Sequence, residues 1–176
     1  MPKGLKRHYG RGELHFLTFS CYRRLPLLGT THARNLFVNE LRRVRQEYNF
    51  FLFGYVVMPN HVHLLISEPK NSTLSTVLQM LKQRVSRKMR SEKHSVPQGR
   101  LGMAAPRFGG DLPQFWQPRF YDFNVYGRKK VKEKLDYMHA NPVVRGLVEN
   151  PKDCPWSSFP FYARAEATLL PIDSLD

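Results

Sequence analysis

Apolar residues recur along this chain with two alternating periods. Every second position is apolar or aromatic over His15 to Tyr22, Phe50 to Met58 and His61 to Ser67, which predicts strands. A 3.6-residue period over 31 to 48 and over Leu74 to Arg90 predicts two amphipathic helices, and a further strand is expected within Arg119 to Tyr126. A third helix is expected over Arg128 to Asn141. There Val131, Leu135 and Met138 fall at i, i+4 and i+7, and Pro142 is expected to stop the run. Strand, helix, strand, strand, helix, strand is the ferredoxin-like split βαβ order, an α+β sandwich whose antiparallel sheet carries two helices on one face. The other face stays open, and the added C-terminal helix can lie across it. Residues 92–114 hold four glycines and three prolines and read as a long flexible loop. One domain over 1–162 with a tail over 163–176 is therefore expected. Gly127, just before the third helix, serves equally as a hinge or as an ordinary turn residue.

The strand His61 to Ser67 opens with chemistry. It is entered through Met58-Pro59-Asn60, and His61 and His63 then share one face while Val62, Leu64 and Ile66 share the other. Two imidazoles held on one side of a rigid strand supply two nitrogen ligands to a divalent ion and leave positions open for substrate. The same spacing also suits a half-buried strand that happens to carry two histidines.

On the third helix Tyr137 and Asn141 sit one turn apart, with Lys130 and Lys134 on the same side. A phenol flanked by lysines, with an amide carbonyl one turn on, is equipment for nucleophilic attack on a phosphodiester beside a metal. A solvent-facing helix tyrosine and a helix C-terminal asparagine ahead of Pro142 are the plain alternatives. His139 lies about 200° round the helix from Tyr137 and faces elsewhere. Tyr121 and Tyr126 are rival nucleophiles, but neither has an Asn or Gln one helical turn later.

Charge narrows the partner. The chain has 28 Lys+Arg against 14 Asp+Glu, a formal charge of +14 and a pI near 10.1, which points to a polyanion. Basic residues interleave with apolar ones over Arg34 to Arg45 and Lys82 to Arg90, and the twelve phenylalanines and eight tyrosines offer surfaces for base stacking. Arg119, Lys82 and Arg87 join Lys130 and Lys134 as candidate nucleic-acid contacts. Cys21 and Cys154 fit no metal or disulfide spacing and are expected as reduced thiols, and no apolar run reaches membrane-spanning length. A cytoplasmic protein without a membrane partner is expected.

Three segments together carry a resemblance. Tyr55-Val56-Val57-Met58-Pro59-Asn60-His61-Val62-His63-Leu64-Leu65, Phe115-Trp116-Gln117-Pro118-Arg119-Phe120-Tyr121-Asp122, and Tyr137 through Val148 resemble the REP-associated tyrosine transposases, in the single-strand branch of the HUH endonucleases. The likeness spans residues 8 to 162. It implies a metal-dependent single-stranded DNA endonuclease and strand transferase that cleaves near hairpins through a 5′-phosphotyrosine on Tyr137. It also implies one Mg2+ or Mn2+ ion on His61, His63 and Asn141, and no nucleotide cofactor. The insertion-sequence relatives more often carry glutamine at the place of Asn141, one methylene longer. Imidazole ligands suit Mn2+ better than Mg2+. A monomer, or a homodimer that exchanges the tyrosine helix, is implied as well. A replication initiator or relaxase shares these residues, and a non-catalytic hairpin-binding protein derived from a transposase is the alternative of another class.

Overall fold

A computed structural model describes residues 10, 12–94 and 114–175, so most of the loop expected over 92–114 lies outside the described residues. The elements follow the expected order: β1 (Leu14–Ser20), α1 (Thr31–Tyr48), β2 (Leu52–Val57), β3 (His61–Ser67), α2 (Leu74–His94), β4 (Tyr121–Val125), α3 (Gly127–Val144) and α4 (Phe159–Arg164). The sheet runs β2-β3-β1-β4, and all three pairings are antiparallel. This is the ferredoxin-like arrangement, with β3 inserted between β1 and β2, which α1 connects.

Strand alternation divides the apolar residues between two cores. Leu17, Phe19, Val62, Leu64 and Ile66 point toward α1 and α2, meeting Phe37, Leu41, Leu78 and Leu81. Phe16, Val56 and Leu65 point the other way, where Val131, Leu135 and Met138 of α3 cover them. Gly54 lets that helix come close, because a Cβ there would lie 2.7 Å from Leu135 Cδ2 and 3.1 Å from Met138 Sδ. Local signals set the helix ends. Thr30 Oγ1 accepts a hydrogen bond from the Ala33 amide at 3.1 Å and caps α1.

Several boundaries differ from the expectation, with β2 shortened to Leu52–Val57. Helix α2 runs on to His94. Strand β1 ends at Ser20 because Tyr22–Arg24 form a 3₁₀ turn in which Arg23 and Arg24 take φ of 50° and 56°. Pro142 does not stop α3, which continues to Val144. The stop comes at Gly146 (φ +65°), whose amide donates to the Val143 carbonyl while the Leu147 amide donates to the Pro142 carbonyl. That double closure is a Schellman motif, which favours glycine in the left-handed position. The segment expected as a tail is docked instead. Leu170 is fully buried in the α1/α2 core, and the Asp173 carboxylate pairs with Arg45 at 2.7 Å and accepts from the Leu52 amide at 2.6 Å.

Candidate active site

His61 and His63 stand on β3, on the face that α3 crosses. Their ring centroids lie 4.9 Å apart with planes near perpendicular. Cross-strand register places Thr18 of β1 opposite His63, and Thr18 Oγ1 meets His63 Nδ1 at 2.8 Å. On the other side of the pair, Asn60 Oδ1 meets His61 Nδ1 at 2.6 Å. An amide oxygen only accepts, so His61 Nδ1 carries the proton and Nε2 keeps its lone pair. Thr18 can act in the same way on His63 by accepting from Nδ1. His63 Nε2 is buried with no hydrogen-bond partner, an expensive state for a polar atom unless something else binds it.

Both imidazoles are held neutral, which is the form that binds metals. Burial pushes His61 down to about 4, with Arg145 and Arg24 adding to the effect. Burial pushes His63 down to about 3, helped by His61 and Arg145. Arg24, from the strained 3₁₀ turn, and Arg145, at the end of α3, thus place positive charge beside the histidines. Sequence reasoning did not single out either arginine.

Helix α3 lays Tyr137 over this pair. Its ring is 5.6 Å from that of His63 and 6.0 Å from that of Phe16, edge-on to both. Phe16 in turn stacks on His63 at 5.4 Å. Tyr137 is 54% exposed although its neighbours His63 and Phe16 are buried. One turn on, Asn141 is 6% exposed, and its Nδ2 donates to the Tyr137 carbonyl at 3.0 Å. That bond leaves Oδ1 as the amide atom with ligand capacity. Among the described residues no group of three His, Cys, Asp or Glu could hold a metal. His61 Nε2, His63 Nε2 and the Asn141 oxygen are the donors with free capacity that would hold a divalent ion here, and the orphaned His63 nitrogen fits such a role.

The lysines divide. Lys134 lies over the Phe16 ring at 5.4 Å and the Phe123 ring at 4.6 Å, beside the tyrosine. Lys130 bonds both carboxylate oxygens of Glu133, at 2.9 and 2.7 Å, and so turns partly outward. Lys82 is not on this face at all. It lies on α2 against Phe19 and Phe120, donates to the Gln117 carbonyl at 3.0 Å, and is pushed down to about 8 by burial. Arg87 is exposed on the same helix, across the sheet from the histidines, and Arg119 is exposed just ahead of β4.

The other candidates are accounted for. His139 Nε2 meets Ser158 Oγ at 2.8 Å, and burial pushes its imidazole down to about 4, so it ties α3 to the segment beside β2. Burial raises the Tyr121 phenol, and Tyr137 and Asp122 add to that, which disfavours it as an ionised nucleophile. Tyr126 is exposed at the start of α3. Gly127 takes φ +73° with nothing near its missing Cβ, so the turn itself requires glycine.

Comparison with known proteins bears on the family and the fold. Residues 9–141 match the family described as Transposase IS200 like. A Haemophilus influenzae protein provisionally named a REP-associated tyrosine transposase is 29% identical over 162 residues, covering 92% of this chain and 88% of its own. The REP-associated tyrosine transposase of Escherichia coli K12 is 25% identical over 169 residues, covering 96% and 88%. The solved structure of a REP-associated tyrosine transposase bound to a REP hairpin superposes with a TM-score of 0.71 at 23% identity. That match covers 99% of this chain and 94% of the other.

Proposed function

This chain belongs to the IS200-like transposase family, and on that premise we propose that it is a metal-dependent endonuclease and strand transferase acting on single-stranded DNA beside hairpins. The observation that carries the reading is Tyr137 standing 5.6 Å from His63, whose buried Nε2 lacks a partner. A solvent-facing tyrosine beside an unsatisfied buried imidazole is poor economy for a structural role, but it suits a nucleophile beside a ligand.

In the proposed reaction Tyr137 Oη attacks the scissile phosphorus. The Oη–P bond forms as the P–O3′ bond breaks and the phenol releases its proton to water, which leaves a 5′-phosphotyrosine and a 3′-oxygen that takes up a proton. A divalent ion held by His61, His63 and Asn141 would polarise the phosphate and steady the departing charge. Lys134, poised over Phe16 and Phe123, compensates charge on the phosphoryl oxygens. Arg24 and Arg145, whose fields reach His61, draw the phosphate toward the same place. The bond energy stays in the tyrosyl ester. A later attack by a 3′-hydroxyl therefore rejoins strands without a nucleotide cofactor.

A hairpin substrate is proposed because the related transposases are named for REP elements, and one was solved with a REP hairpin. We propose action in cis, a reading supported by the Tyr137 ring lying 5.6 Å from that of His63 in the same chain. No helix among the described residues is long and apolar enough to cross a membrane. The reading is tested by incubating the protein and Mn2+ with labelled hairpin strands, carrying single-stranded tails, from the DNA flanking its own gene. A denaturation-resistant protein–DNA adduct that EDTA prevents is expected. Binding without any adduct would instead identify a hairpin-binding module.

A further inference from the structure

Strand β4 is an edge. Among the described residues it pairs with β1 alone and has no strand neighbour on its outer side. Edges are usually blunted with charge, because exposed apolar surface there invites association. Tyr121, Phe123 and Val125 point to the α3 face; Val125 is buried, while Tyr121 and Phe123 are half-buried. Their rings lie parallel, 6.4 Å between centroids and 9° between planes.

Register ties these rings to the site. Thr18 is opposite His63 on one side and Tyr121 on the other, so His63, Thr18 and Tyr121 form one row across three strands. Two inter-strand spacings separate Tyr121 from His63, about 10 Å. Phe123 occupies the next row, opposite Phe16. Above the strip, Lys134 lies 4.6 Å and Lys130 5.9 Å from the Phe123 centroid. Aromatic faces for bases beside cations for phosphates are the combination with which proteins hold single strands.

We propose that Tyr121 and Phe123 form a base-stacking platform for the nucleotide beside the scissile phosphate, so that the edge strand β4 positions the single strand under Tyr137. The proposal rests on reading the site as a single-strand DNA cleavage centre. Tyr121 acts through its ring rather than its hydroxyl, as a positioning residue. A purely structural role for the two rings, as the partly buried margin of the α3 core, predicts a loss that does not depend on which base is present.

The test uses the full chain and hairpin strands in which 2-aminopurine, or an abasic site, replaces each nucleotide around the cleaved bond in turn. Fluorescence of 2-aminopurine at one position next to that bond should be quenched by the wild-type protein and by Tyr121→Phe, and released in Tyr121→Leu. Tyr121→Leu should weaken binding of the intact strand roughly fivefold to a hundredfold. It should change nothing further when that position is already abasic, and Phe123→Leu should act in the same direction. Equal losses on intact and abasic strands, or quenching indifferent to Tyr121, would overturn the platform. If the wild-type protein still forms its covalent adduct in that case, the cleavage reading stands and only the platform falls. If no hairpin strand gives an adduct, both fall.

Discussion

Thr18 and His63 face each other across β1 and β3, and their side chains meet at 2.8 Å from Thr18 Oγ1 to His63 Nδ1. A hydroxyl that accepts from Nδ1 leaves the lone pair on Nε2, the form in which His63 would serve the proposed metal site. Thr18→Val keeps the strand shape and removes the acceptor. Stability should fall by only about 1 kcal/mol, while divalent-metal affinity should fall about 10- to 100-fold. Titrating Mn2+ against cleavage rate checks this. The variant should need more metal and recover when it is supplied, and an unchanged metal requirement would remove Thr18 from the site.

Metal and DNA binding should separate. His63→Ala, or EDTA with the native protein, should abolish cleavage while leaving most hairpin affinity, since that affinity comes chiefly from basic contacts to phosphate. The logarithm of the binding constant should fall linearly with the logarithm of salt concentration, with nearly the same slope in His63→Ala as in the native protein. Anisotropy titrations at several salt concentrations give both numbers. Cleavage undiminished in EDTA would contradict the metal assignment.

Acid stability offers a test away from chemistry. His139 is buried against Ser158 and pushed down from 6.5 to about 4. The unfolded chain therefore takes up a proton at this residue before the folded one does. Its contribution to stability is complete above about pH 6.5 and is lost as pH falls from there toward 4. His61 and His63, pushed down to about 4 and 3, act with the same sign. His139→Gln retains a donor for Ser158 and removes the titration. Chemical denaturation between pH 7 and 4.5 should show a shallower acid loss in this variant than in the native protein.

Short-range pattern carried much of this molecule. Helix 31–48 and strand 61–67 were legible to the residue, because an uninterrupted period, a threonine cap and a Pro-Asn turn mark their ends. Tyr137 and Asn141 were legible as a pair from one helical turn. What failed was longer in range. Thr18 is 45 residues from His63, and only sheet register reveals their contact. Lys82 reads as a solvated base on an amphipathic helix, yet the Gln117 carbonyl draws it inward. Pro142 reads as a stop, but the last turn closes on Gly146 instead. The C-terminal segment reads as a tail because nothing local announces that Leu170 fills a gap in the core.

The covalent bond itself tests the central claim. After reaction with a labelled hairpin strand and Mn2+, digestion and peptide mass spectrometry should place the nucleotide on Tyr137. Tyr137→Phe should bind the hairpin with near-native affinity and give no adduct, while Tyr121→Phe and Tyr126→Phe should keep it. An adduct that persists in Tyr137→Phe, or that maps to Tyr121, would contradict the account.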